Sequence, residues 1–308
     1  MFSVVFPGQG SQKIGMAKEL LDKFEIAKKI FKEADNILGF PISKIILEGP
    51  ENKLNLTENT QPAIFLTSYT IFNVAKQEFG INFDKAQYIA GHSLGEYSAL
   101  CCFDGLTFED TLRILKKRGR SMQDAVPANE GSMLAILGSS LEIIETLIKD
   151  NAPDCFIANN NSPQQVVVSG LKKNIDQFSE VLDKSKIKNL KLNVSAPFHC
   201  KLMKKATENL KEEILNLNFK EIKNPIISNF TANSSISGTD IKNLLVSQIE
   251  GRVKWVESIK FMIEKGTKNF IEIGPGKVLS GLIKRIDKKV KINSINTESD
   301  IKELINNV

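Results

Sequence analysis

Gln87-Tyr88-Ile89-Ala90-Gly91-His92-Ser93-Leu94-Gly95-Glu96 is the stretch whose reading decides the fold. Residues 87–91 are strand-like, and a helix is expected from Ser93. A strand that passes into a helix through Gly-x-Ser-x-Gly is one way in which α/β enzymes hold a serine on a sharp turn. Gly91 and Gly95 remove side chains on either side of such a turn. The helix that follows offers free backbone N–H groups and the positive end of its dipole. Two readings of Ser93 stand side by side. Ser93-Leu94-Gly95-Glu96 also fits the capping box Ser-x-x-Glu, in which Ser93 is only an N-cap. In the other reading Ser93 is a nucleophile, and Leu94 N–H is the first donor to the oxyanion of a tetrahedral intermediate.

A serine hydroxyl attacks well only when a base takes its proton. The 308-residue chain has two histidines. His92 adjoins Ser93 but should point elsewhere on the turn, packed and hydrogen-bonded. His199, in Ala196-Pro197-Phe198-His199-Cys200, is by exclusion the preferred base.

Outward from this turn, short β-like runs alternate with helical patterns. Residues 3–7, 87–91, 225–230 and 269–273 read as strands. Residues 61–79 read as a helix with Pro62 in its first turn, and 277–286 as another after Gly274-Pro275-Gly276. Such alternation implies an α/β fold with a mostly parallel sheet covered on both faces. The middle of the chain differs. Strands at 132–138, 155–162, 164–170 and 187–194, with helices at 140–150 and 171–186, give the order β-α-β-β-α-β of a ferredoxin-like unit. Asn159-Asn160-Asn161-Ser162-Pro163 supplies turn chemistry between its halves. The expected organisation is a large domain of residues 1–123 and 196–308, interrupted by an inserted small domain at 124–195.

The helix after Thr107 carries a second signal. With Leu112 at 0° and 100° per residue, Ile114, Leu115, Gly119 and Met122 fall between about 200° and 340°. Arg113, Lys116, Lys117 and Arg120 fall on the opposite face, whereas Arg118 lies at about 240°, inside the apolar arc. An inward guanidinium needs an anionic or multi-acceptor partner, because an unpaired buried charge is costly. It is either an internal salt bridge or a clamp for a substrate carboxylate.

Composition narrows the remaining classes. Hydrophobic residues at 42% and charged residues at 25% are ordinary for a soluble globular chain. No apolar run nears the ~18 residues of a membrane span. The start Met1-Phe2-Ser3-Val4-Val5-Phe6-Pro7 does not read as a signal peptide, so a cytoplasmic location is expected. A net charge of +5, without an Arg-rich tract, argues against nucleic acid and leaves room for an acidic partner. The four cysteines lack C-x-x-C spacing, so no metal site is expected, and Cys101 and Cys102 read as small core residues. Gly8-Gln9-Gly10-Ser11-Gln12-Lys13 lacks the third glycine of a dinucleotide fingerprint, but a tight loop there could bring Gln9 near the serine.

Taken in order, Phe6-Pro7-Gly8-Gln9-Gly10-Ser11-Gln12, Gln61-Pro62-Ala63, Gly91-His92-Ser93-Leu94-Gly95-Glu96-Tyr97-Ser98-Ala99 and Arg118-Gly119 form a specific set. Asn161-Ser162-Pro163, Pro197-Phe198-His199-Cys200 and Gly274-Pro275-Gly276-Lys277 complete it. The chain resembles the malonyl-CoA:acyl carrier protein transacylases, loading enzymes of type II fatty acid synthesis. The resemblance implies an α/β-hydrolase-like large domain with a ferredoxin-like insert. It implies Ser93 as acyl acceptor and His199 as general base and acid. Gln248 would orient His199 through its backbone carbonyl, and Gln9 with Leu94 N–H would form the oxyanion hole. Arg118 would bind the malonyl carboxylate, and Asn161 would lie near the coenzyme A entrance. Phe198 and Leu94 accompany malonyl rather than methylmalonyl use in related acyltransferases. The implied partners are malonyl-CoA and the acidic holo-acyl carrier protein, with no cofactor, and a monomer is expected. The rivals are a serine esterase or thioesterase of α/β-hydrolase type, which normally needs an acidic triad member, and a non-catalytic carrier-binding module.

Overall fold

The strand β1 (Phe2–Phe6) is buried from Ser3 to Phe6, as a central strand covered on both faces must be. Its one polar residue, Ser3, is satisfied by Thr267 Oγ1 at 2.8 Å. The computed structural model describes residues 1–127, 129–194 and 196–307. β1 pairs in parallel with β2 (Ile89–Gly91) on one side and with β9 (Asn269–Ile273) on the other. With β7 (Ile226–Ile227), β8 (Ser234–Ser235) and β10 (Lys291–Ile295), they form a six-stranded sheet in the order β10-β9-β1-β2-β7-β8. Only the β7–β8 pairing is antiparallel. The result is an α/β architecture with a mostly parallel sheet, as the alternating pattern predicts.

The second sheet is drawn entirely from the middle of the chain. β3 (Gly131–Leu137), β4 (Phe156–Ser162), β5 (Gln165–Leu171) and β6 (Lys188–Lys191) pair antiparallel in the order β4-β5-β3-β6. Helices Leu141–Asn151 and Lys172–Lys184 lie between them in sequence, giving the expected β-α-β-β-α-β order. Leu134, Ile136, Val166 and Val168 from the strands and Ile144, Ile175, Phe178 and Leu182 from the helices close a separate core. β4 is tied to the segment before the helix Trp255–Glu264 through backbone bonds: Val253 N–H donates to Ala158 O at 2.8 Å, and Asn160 N–H to Val253 O at 3.0 Å.

Three expectations need correction. The turn read over Asn159–Pro163 is narrower, confined to Pro163 and Gln164, and Asn159–Ser162 belong to β4, as the strand expected at 155–162 has it. Asn160 is satisfied by a neighbouring helix, its Nδ2 donating to Glu257 of Trp255–Glu264 at 3.1 Å. The helix expected at 61–79 begins earlier, at Thr57, and ends at Gln77. Pro62 therefore lies inside it and removes one helical hydrogen bond; the polar Thr57-Glu58-Asn59-Thr60 turn carries no apolar period to announce the start. The strand expected at 225–230 keeps only Ile226 and Ile227, because Asn229 is drawn off to the serine turn. Lys291–Ile295, on which the sequence carried no expectation, forms an edge strand.

No helix among the described residues is long and apolar enough to cross a membrane. All four cysteines are free and buried, and burial pushes the Cys101 thiol up to about 12.

Candidate active site

Ser93 sits between β2 and the helix Leu94–Cys102 with φ 53° and ψ −108°, a strained conformation for a residue with a side chain. The turn is possible only because its neighbours are glycines. A Cβ on Gly91 would lie 1.9 Å from the Gly95 carbonyl carbon, and one on Gly95 would lie 2.2 Å from Phe6 O. The capping-box reading is not realised: the Ser93 side chain makes no cap hydrogen bond. Glu96 turns inward instead, accepting from Asn229 N–H at 3.0 Å and Gln248 Nε2 at 2.8 Å.

Ser93 Oγ lies 2.8 Å from His199 Nε2. The other ring nitrogen of His199, Nδ1, is 2.9 Å from the backbone carbonyl of Gln248. A carbonyl can only accept, so the proton belongs on Nδ1 and the Nε2 lone pair faces the serine hydroxyl. Burial, reinforced by the Arg118 charge, pushes His199 down to about 3, so the imidazole is a neutral base. Ser169 Oγ of β5 donates to Phe198 O at 2.6 Å, so the second sheet holds the loop that carries His199. Phe198 itself is buried in the main core.

Arg118 is fully buried, as its place on the helix Phe108–Gln123 predicts. Nη1 donates to Gln61 Oε1 at 2.8 Å, and Nη2 to Gln248 Oε1 at 2.8 Å and Ser93 Oγ at 3.1 Å. Its guanidinium carbon is 5.5 Å from the Tyr97 ring centre. Its hydrogen-bond partners are neutral oxygens, so the internal salt bridge considered above is not formed among the described residues. His199 and Arg118 thus converge on Ser93 Oγ, and Gln248 holds both of them, His199 through its carbonyl and Arg118 through its side-chain oxygen.

Of the remaining predicted residues, Leu94 follows Ser93 directly and Asn161 bonds His92, whereas the side-chain bond of Gln9 goes to Thr57. Leu94 is the first helical residue after Ser93, and the next two N–H groups are used by the His92 and Ser93 carbonyls. Leu94 N–H is therefore the donor left in the first turn. Gln9 is half-buried, with its amide 3.4 Å from Thr57 Oγ1, and the backbone of Gly8 beside it packs against the His92 carbonyl. Asn161 is buried with Oδ1 2.8 Å from His92 Nε2, which makes His92 the packed, hydrogen-bonded residue expected.

Three contributors escaped the sequence reading. Asn229 accepts from Ser93 N–H at 2.6 Å and donates to Gly91 O at 2.7 Å, clamping both sides of the turn. Gln61 holds Arg118, and Glu96 holds Gln248. Gln61 and Glu96 do stand inside the motifs quoted above, whereas nothing local distinguishes Asn229. Among the described residues no cluster of His, Cys, Asp and Glu could hold a metal ion.

Comparison with known proteins agrees with this geometry. The acyl transferase domain family matches residues 3–301. The malonyl CoA-acyl carrier protein transacylase of Bacillus subtilis (strain 168) is 42% identical over 301 residues, 96% of this chain and 94% of that protein. The one from Staphylococcus aureus (strain COL) is 40% identical and covers 97% of each chain. The crystal structure of an acyl-carrier-protein S-malonyltransferase from Bartonella henselae superposes with a TM-score of 0.95 at 39% identity, covering 99% of this chain and 98% of that one. A malonyl-transacylase solved in complex with its type II PKS acyl-carrier protein superposes with a TM-score of 0.95 at 36% identity, covering 100% and 99%. With a serine elbow, a neutral histidine and a buried arginine meeting at one oxygen, the chain belongs to the acyl transferase family, among the malonyl CoA-acyl carrier protein transacylases.

Proposed function

We propose that this chain transfers the malonyl group from malonyl-CoA to the phosphopantetheine thiol of acyl carrier protein through a malonyl-Ser93 intermediate, supplying fatty acid synthesis. The observation that carries this reading is the convergence of His199 Nε2 and Arg118 Nη2 on Ser93 Oγ, at 2.8 Å and 3.1 Å. The first contact activates the nucleophile, and the second places a cation where the distal carboxylate of a malonyl group can be held.

In this mechanism Arg118 binds the malonyl carboxylate. Ser93 Oγ attacks the thioester carbonyl as its proton passes to His199 Nε2. The oxyanion is met by Leu94 N–H and Gln9. When the tetrahedral intermediate collapses, the C–S bond breaks and His199 returns the proton to the coenzyme A sulfur. The carrier's phosphopantetheine thiol then gives its proton to His199, attacks the malonyl ester and leaves as the malonyl thioester, with the proton restored to Ser93. The Gln248 carbonyl holds the His199 tautomer throughout. Asn161 is assigned to the coenzyme A entrance, and Phe198 to excluding an α-methyl group.

We read the large unit, residues 1–123 and 196–308, as α/β-hydrolase-like, and 124–195 as a ferredoxin-like insert. Support comes from the confinement of the antiparallel sheet to residues 131–191; Ser195, at the boundary, lies outside the described residues. The acidity of the carrier, a monomeric state and a cytoplasmic location belong to the same proposal. The hydrolase alternative is not favoured, because His199 Nδ1 meets a neutral carbonyl rather than a carboxylate. Initial rates at varied malonyl-CoA and holo-acyl carrier protein test the mechanism. Parallel double-reciprocal lines are expected for a ping-pong path, and intersecting lines contradict it.

A further inference from the structure

Two charged side chains are buried together behind the serine elbow: Arg118, 0% exposed, and Glu96, 1% exposed. No direct ion pair joins them among the described residues. The side-chain amide of Gln248 stands between them. Its Oε1 accepts from Arg118 Nη2 at 2.8 Å, and its Nε2 donates to Glu96 Oε2 at 2.8 Å. An amide has one accepting end and one donating end, so the cation and the carboxylate each face the end that suits them.

The hydrogen bonds alone do not require a charge at Glu96. The same Oε2 accepts from Asn229 N–H at 3.0 Å, and a neutral amide oxygen, with two lone pairs, would serve both donors. What a neutral group would not supply is a negative charge facing a buried guanidinium, which is costly to leave uncompensated.

We propose that Glu96 is the counter-charge of Arg118, held to it through Gln248, and that it tunes the site's preference for acyl groups bearing a distal carboxylate. The inference rests on Arg118 as the carboxylate clamp. An incoming malonyl carboxylate shares the guanidinium with Glu96, so the grip on malonyl is moderated. Binding ground state and transition state equally tightly adds nothing to the rate, so a moderated grip raises the half-saturating concentration without slowing the chemical step. Glu96 touches neither substrate nor reacting atoms and is a positioning residue.

Its surroundings make the effect readable with pH. Burial pushes the Glu96 carboxyl up to about 7, against the hydrogen bonds of Asn229 and Gln248 and the charge of Arg118. Arg118 remains a cation, the Tyr97 phenol is pushed up to about 12, and His199, beyond Gln248, is pushed down to about 3. Glu96 is thus the member of this group whose charge changes near neutral pH.

The test measures the half-saturating concentration for acyl-enzyme formation, with malonyl-CoA and with acetyl-CoA, for wild type and Glu96→Gln from about pH 6 to 9. Removing the charge but keeping the acceptor should lower the malonyl constant at least about threefold relative to the acetyl constant. In wild type, the malonyl constant should rise as pH climbs through about 7, while that of the variant stays flat. An unchanged or reversed malonyl-to-acetyl ratio overturns the inference, as does the same malonyl profile in both proteins. A wild-type constant independent of pH overturns it even if the variant fails to fold. Wild-type protein that forms no acyl-enzyme sinks the transferase reading as well, whereas a normal adduct with an unchanged ratio sinks this inference alone.

Discussion

Two strands of the parallel sheet end in glycine-flanked turns that open helices, and the turns are finished in opposite ways. After β9, Gly274-Pro275-Gly276-Lys277 leads into Val278–Ile286, and the buried Glu272 carboxylate accepts from Leu279 N–H at 3.0 Å and Ser280 N–H at 2.7 Å. That helix start carries its own anion. After β2 the acidic residue of the first turn, Glu96, is turned away to Asn229 and Gln248, and Leu94 N–H is left as the donor beside a strained serine. One turn spends its helix N-terminus on its own carboxylate; in the proposed mechanism the other keeps it for a charge that forms during reaction. The same local architecture therefore differs in whether a carboxylate of the chain fills the helix start, and the proposed mechanism makes use of the start left open.

The comparison can be broken from either side. If the elbow is built to meet an oxyanion, Gln9→Ala should lower acylation by up to about 100- to 1000-fold; single-turnover rates unchanged by the substitution would remove Gln9 from that pocket. Arg118→Ala should cost malonyl transfer about 10- to 150-fold, the worth of a charge-assisted contact. Acetyl transfer, which has no distal carboxylate to lose, should fall less, and equal losses for the two substrates would refute the clamp. On the other turn, Glu272→Ala should cost about 1–3 kcal/mol in urea unfolding, because two helix N–H groups lose their acceptor. The transfer rate per folded molecule should change by less than about twofold, since this turn lies outside the chemistry; a large rate loss would erase the distinction between the turns. The smallest expected change concerns pH. His199 is held down at about 3 instead of the ordinary 6.5, so its base form persists as pH falls. At saturating malonyl-CoA the acylation rate should vary less than about twofold between pH 7 and 5.5, and half-loss near pH 6.5 would show that the histidine is not buried as described.

Much of the centre was legible because composition and periodicity constrain it. With two histidines in the chain, exclusion pointed to His199, and one guanidinium on an apolar helix face pointed to Arg118. The alternation of strands and helices conveyed the parallel sheet, and the β-α-β-β-α-β order conveyed the second sheet. What stayed hidden depends on contacts distant in sequence. Asn229 reaches Ser93 across 136 residues, and Gln248 reaches Arg118 across 130. Glu96 illustrates the limit of a local motif: Ser-x-x-Glu is compatible with a capping box, yet a peptide N–H and an amide from elsewhere in the chain claim the carboxylate. The turn chemistry read over Asn159–Pro163 was too wide for a related reason, since Asn160 and Asn161 are satisfied here by Glu257 and His92, distant in sequence.

The central claim is that Ser93 carries the acyl group, and intact-protein mass measurement after mixing with malonyl-CoA tests it most directly. Wild type should gain a single malonyl adduct that holo-acyl carrier protein discharges, and Ser93→Ala should gain none. An adduct that persists in Ser93→Ala, or one that water discharges as fast as the carrier does, would contradict the account.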